Sequence, residues 1–155
     1  MENDIAGIGR IIELAVAPVF LLVAIGSFLN VATQRLGRVV DRARRLKNEV
    51  SGAGESETRR AAFEELAGLS RRIAFANYAI YLWSPAALLV AIDVAVLFAG
   101  AFAGADLYGV IAALFALAMI AVIGGFGSFM AEIAIATRTL RIRTDQFLIK
   151  AEKQP

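Results

Sequence analysis

Neither cysteine nor histidine occurs anywhere in the sequence. The first absence excludes disulfides, thiolate nucleophiles and the usual sulfur-ligated zinc sites. The second removes the side chain best suited to moving protons near neutral pH. No nucleophile–base set stands out among the remaining residues, so no enzymatic activity, cofactor or metal is expected. Charge is also scarce: 19% of residues are charged and 59% are hydrophobic, against about a quarter charged in ordinary soluble domains. A water-soluble fold of this size would have to cover its outside with polar groups that long stretches of this chain do not possess.

Leu14 to Gln34, Ile73 to Ile92 and Leu107 to Ala131 contain no charged residue. Each reaches the ~20 residues that a helix needs to cross ~30 Å of hydrocarbon. A barrel strand would be about half as long and would alternate polar with apolar residues. The expected fold is an all-α membrane protein, one domain over residues 1–155. Its transmembrane helices are expected near 13–34, 73–97 and 107–132.

Fifteen of the sixteen Lys and Arg residues lie in Arg35 to Arg72 or after Ala131; only Arg10 precedes the first span. The positive-inside rule then puts both basic segments in the cytoplasm, with the amino terminus and the turn from Ala99 to Asp106 on the opposite side. The first span does not read as a cleaved signal, because its positive flank follows the apolar run and Pro18 after Ala15-Val16-Ala17 spoils the cleavage site. The formal charge of +2 and pI near 9.3 come from residues that topology places there anyway, and no nucleic-acid-binding motif accompanies them.

The first helix should run on past the membrane, since Leu36, Val39, Ala43, Leu46 and Val50 keep an apolar stripe at three- and four-residue spacing. Ser51-Gly52-Ala53-Gly54 ends it. Ser56 with Glu57 suits a helix start, and Ala62, Leu66, Leu69 and Ile73 repeat the stripe into the second span. A cytoplasmic helical hairpin over 35–72 follows, closed like a short antiparallel coiled coil. A third cytoplasmic extension over 133–150 is expected from Ile135, Ile142 and Ile149, with Arg138, Arg141, Arg143 and Lys150 solvating the rest. Between spans two and three, Ala99, Gly100, Ala101, Ala103 and Gly104 make a tight turn, and Asp106 can cap the third helix.

Several residues are candidate sites. Glu13, Ala17, Ala24, Ser27 and Gln34 lie close to one helical face that continues to Val31, Arg38 and Asp41. In an oligomer such a stripe can line a pore with a carboxylate ring at its mouth; alternatively, Glu13 sits among headgroups and the small residues let helices pack. Asp93 is buried in the outer leaflet if the second helix continues through Val94 to Phe98, where a lone carboxylate costs up to about 3 kcal/mol; it is interfacial if the helix stops near Ile92. Glu132 shares a face with Ala121, Gly125 and Ser128 and should look inward, within reach of Arg35, Arg38 and Arg72, as a boundary ion pair; the alternative is a gate or proton-handling role.

The run Gly124-Gly125-Phe126-Gly127-Ser128 lies inside an apolar span and lacks the strand, lysine and helix start of a phosphate-binding loop, so close helix packing is its expected role. Pro18 and Pro85 can kink their helices. Arg38, Arg42, Arg44, Arg45, Arg59 and Arg60 form a basic face that either is a solvated flank or recognises a partner protein or anionic lipid.

The stretches Ala17-Pro18-Val19-Phe20-Leu21-Leu22-Val23-Ala24-Ile25 and Arg35-Leu36-Gly37-Arg38-Val39-Val40-Asp41-Arg42-Ala43-Arg44 resemble the family of bacterial inner-membrane proteins catalogued as domain of unknown function 2721. The resemblance runs along most of the chain and implies three helices in a bacterial inner membrane, with no activity or catalytic residue to carry over. The expected partners are membrane lipids, further copies of the chain and a cytoplasmic protein. Two functions compete: a homo-oligomeric, channel-like conducting assembly, and a non-conducting scaffold whose basic hairpin binds a protein or anionic lipid.

Overall fold

A computed structural model describes the backbone of residues 2–52 and 56–152, and the side chains of residues 9–49 and 62–137. The described residues form three long helices: α1 over Glu2–Gly52, α2 over Ser56–Ala103 and α3 over Tyr108–Glu152. No strand occurs among them. Pro18 lies inside α1 and Pro85 inside α2. Each withholds one amide from the helix ladder, and both helices run on past it.

All three helices are long and apolar enough to cross a membrane. Only 17%, 22% and 17% of their most apolar windows is buried within the chain, which leaves large side chains such as Phe20, Leu88, Phe102, Ile120 and Ile123 facing outward. In water that surface would exceed by far the apolar patches of ordinary monomers; in lipid it faces a solvent of its own polarity. The protein is an integral membrane protein with three such helices.

The turn between α2 and α3 is shorter than the small residues suggested. Ala99, Gly100, Ala101 and Ala103 remain helical, and the chain reverses over 104–107. Gly104 adopts a left-handed φ of 63°, while the amide of Ala105 donates to the carbonyl of Gly100 at 3.1 Å. This is the six-to-one closure of a glycine-capped helix. The carboxylate of Asp106 accepts from the amide of Tyr108 at 3.3 Å, at the start of α3. Alanine-rich sequence stays helical because alanine has the highest helix propensity; the glycine that stops it is the one placed where φ must be positive.

Contacts divide the chain into two units, each drawing on all three helices. The first comprises 1–31 and 80–126, the second 32–79 and 127–155. In the first, Phe28, Trp83 and Phe126 form an aromatic cluster with ring centroids 4.7 to 5.7 Å apart. Trp83 is fully buried, and its indole N–H donates to the carbonyl of Val122 at 3.1 Å. Gly125 makes that approach possible: a β-carbon there would come within 2.5 Å of indole Cδ1. In the second unit, Val39, Leu46, Ala62 and Leu69 form a buried cluster, joined by Ala43, Leu66 and Ile73. These are the stripe residues of the two helix segments on either side of 53–55.

Candidate functional site

The residue that ends the charge-free part of α3, Glu132, is 1% exposed. Its carboxylate is gripped by the residues that bound the charge-free parts of the other two helices. Arg35 donates from Nε and Nη2 to Oε2 at 3.1 and 2.8 Å. Arg72 donates from Nε and Nη2 to Oε1 at 3.0 and 2.9 Å. Four charge-assisted hydrogen bonds therefore satisfy one buried anion, each arginine forking onto one oxygen. The guanidinium of Arg35 also stacks over Phe129 at 5.6 Å, which holds its plane in place. Removing a carboxylate from water costs several kcal/mol, and such dense donation is what makes burial tolerable.

Beside this clamp a hollow of about 210 Å³ is lined by Arg35, Arg38, Val39, Arg42, Leu69 and Arg72. The charges on its wall are not equally engaged. Arg35 and Arg72 are shared with Glu132, and Arg42 pairs with Glu65 at 2.9 Å. Arg38 is exposed and makes no ion pair with any described residue. Four guanidinium groups against two neutralising carboxylates leave the hollow cationic. A second hollow of the same size is lined by Arg38, Asp41, Arg42 and Arg45. The basic face read from sequence thus gathers Arg38, Arg42 and Arg45 around hollows, while Arg44 is exposed and the side chains of Arg59 and Arg60 lie outside the described residues. Sequence reasoning treated Arg35 and Arg72 only as partners for Glu132, and missed that they also wall the hollow.

No solved structure and no curated protein matches the chain. The family model described as protein of unknown function (DUF2721) matches residues 15–142. The chain belongs to this family. The DUF2721 match includes the arginines of the clamp and hollow, Glu132 and Asp93.

The remaining candidates are dispersed. Glu13, Ala17, Ser27 and Gln34 are exposed on α1 and Ala24 is half-buried; the hydroxyl of Ser27 donates to its own helix, at the carbonyl of Val23, 3.1 Å away. Among the glycines of the DUF2721 chain's third helix, Gly125 packs under Trp83 and Gly124 lies against Leu82, but Gly127 faces open space, so close packing belongs to the first two. Ser128 is half-buried. Trp83, the contact that gives Gly125 its purpose, was missed. A signal existed: Trp83 and Gly125 stand equally far from the turn at Gly104, as partners in an antiparallel helix pair must.

Asp93 differs from all of these. Helix α2 continues ten residues beyond it, so it is no interfacial end residue but a side chain 4% exposed. Its Oδ1 is buried without a hydrogen-bond partner. Among the described residues no three acidic side chains come together to hold a metal ion.

Proposed function

We propose that this protein is a membrane scaffold that binds the phosphate headgroup of an anionic lipid in the arginine-lined hollow on α1 and α2. The observation that carries the reading is the position of the four arginines. Arg35 and Arg72 immediately bound charge-free helix segments, where hydrocarbon gives way to headgroups, and Arg38 and Arg42 follow within two turns. Cationic hollows at this depth suit lipid phosphates, because guanidinium forks match phosphate oxygens and the apolar lining from Val39 and Leu69 suits the adjoining glycerol and acyl carbons. On this reading the basic segments 35–72 and 133–150 are cytoplasmic extensions, the first of them a hairpin, and the amino terminus faces outward; the positive-inside asymmetry supports that direction. A bacterial inner membrane, rich in anionic lipid, is the setting that fits.

Purified protein in nanodiscs of phosphatidylcholine, with or without phosphatidylglycerol or cardiolipin, tests the proposal by native mass spectrometry. Retention of anionic lipid after partial delipidation, reduced by Arg38→Gln with Arg42→Gln and weakened by salt, is the expected result. Equal retention of neutral and anionic lipids would sink it. A second reading is a homo-oligomeric channel-like assembly with α1 lining its axis, favoured by the outward exposure of Glu13, Ala17, Ser27 and Gln34. Liposome flux with a cation selectivity that changes in Glu13→Gln is its expected signature, and silent liposomes would exclude it.

A further inference from the structure

Asp93, the buried carboxyl among the described residues of α2, lines neither arginine hollow, and its surroundings point to a different ligand. Consecutive membrane spans run in opposite directions, and the contact of Phe28 with Trp83, 5.7 Å between ring centroids, sets the register of α1 against α2 in the first unit. Ten residues from Phe28 toward the amino end is Pro18; ten from Trp83 toward the carboxyl end is Asp93. At ~1.5 Å per residue both steps cover the same length of helix, so Asp93 stands level with the turn of α1 that ends at Pro18. Pro18, like Asp93, is buried. Having no amide hydrogen, it leaves the carbonyl of Leu14 without its usual helical donor. An acceptor that lost its donor and a carboxyl oxygen without a partner therefore lie at one depth.

We propose that Asp93 is a proton-binding site within the membrane-spanning part of the protein, the bound proton linking its carboxyl to the helix carbonyl that Pro18 leaves free. A proton fits both groups: it turns one carboxyl oxygen from acceptor into donor and supplies the hydrogen that the Leu14 carbonyl lacks. Among the described residues no titratable side chain stands level with Asp93. Around the facing turn α1 offers Ala15 and Pro18, and counting down α3 from the contact between Leu82 and Gly124 brings Ala113 alongside. The nearest described titratable groups, Glu13 and Tyr108 on the neighbouring helices and Asp106 in the turn, are exposed. No arginine or lysine is available there to do for Asp93 what Arg35 and Arg72 do for Glu132.

Dicyclohexylcarbodiimide is the probe, applied to the full-length protein in lipid vesicles. A protonated carboxyl adds across one carbodiimide C=N bond, its proton passing to nitrogen and its oxygen to the central carbon. Acyl transfer from that oxygen to nitrogen then gives a stable N-acylurea, and no group leaves. The peptide containing Asp93 should gain the mass of one whole reagent, more rapidly as the pH is lowered, with no protection by sodium or lithium. Mapping the wild-type peptide assigns the position without any variant. The infrared carbonyl band of a protonated carboxylic acid should also be present and be lost in Asp93→Asn. An unlabelled Asp93 peptide together with absence of that band would overturn the proposal. Labelling suppressed by sodium or lithium at fixed pH would overturn it too, in favour of a metal-cation site.

Discussion

Glu132 and Asp93 are both carboxylates buried in apolar helices, 1% and 4% exposed, yet the protein treats them in opposite ways. The first receives four hydrogen bonds from two arginines on two other helices. The second keeps an oxygen with no hydrogen-bond partner among the described residues. The difference teaches which of them is architecture. A carboxylate so fully donated to ties its helices together, and it has no spare valence for a ligand. One left with an unsatisfied oxygen does not tie helices by ion pairs, and it persists where something else binds it.

That contrast can be broken most decisively at Glu132. Changing Glu132→Gln removes the charge but keeps the shape, leaving Arg35 and Arg72, with side chains 29% and 23% exposed, facing each other without an anion. A loss of about 3–5 kcal/mol in unfolding free energy is expected, measured by reversible unfolding in mixed micelles; a loss below about 1 kcal/mol would show that the clamp is not structural. The next effect in size belongs to Gly125→Ala, where the added methyl meets the indole of Trp83. About 1–3 kcal/mol should be lost, and since Trp83 is the only tryptophan, its fluorescence should shift to the red as the ring leaves its buried site.

At Asp93 the sign should reverse. Replacing it by leucine removes a buried carboxyl whose link to the Leu14 carbonyl needs a bound proton, so at a pH high enough to remove that proton Asp93→Leu should be neutral or up to about 1–3 kcal/mol more stable in the same unfolding experiment. A large loss would mean that the carboxyl holds the fold together as Glu132 does, and the comparison would fail. The smallest effect is expected at the half-exposed pair Arg42–Glu65, where side chains are 41% and 23% exposed. Glu65→Gln should cost less than about 1 kcal/mol, and added salt should reduce even that difference.

Much of the helical layout was legible in the sequence. Charge-free segments of spanning length identify the three apolar helices. The stripe from Val39 to Leu46 and from Ala62 to Ile73 names residues that pack together, because a helix repeat of 3.6 aligns them whatever their surroundings. The inward aim of Glu132 was legible for the same reason. The hollow was not: Arg35 and Arg72 are far apart in sequence, and helical periodicity reports the face of one helix without saying which residue of another comes opposite. The turn was misplaced for a local reason, since alanine and glycine look alike as small residues but differ in backbone freedom, and the reversal waits for Gly104.

Hydrophobicity and charge placement by themselves determined that lipid is the solvent and that three helices are the fold, because transfer free energy is a property of each side chain and adds along the chain. Which buried carboxylate is clamped and which is left open was decided only by tertiary structure. Hydrogen bonding depends on distances of about 3 Å between groups that chain order leaves far apart, and such distances are fixed when the helices take up their register.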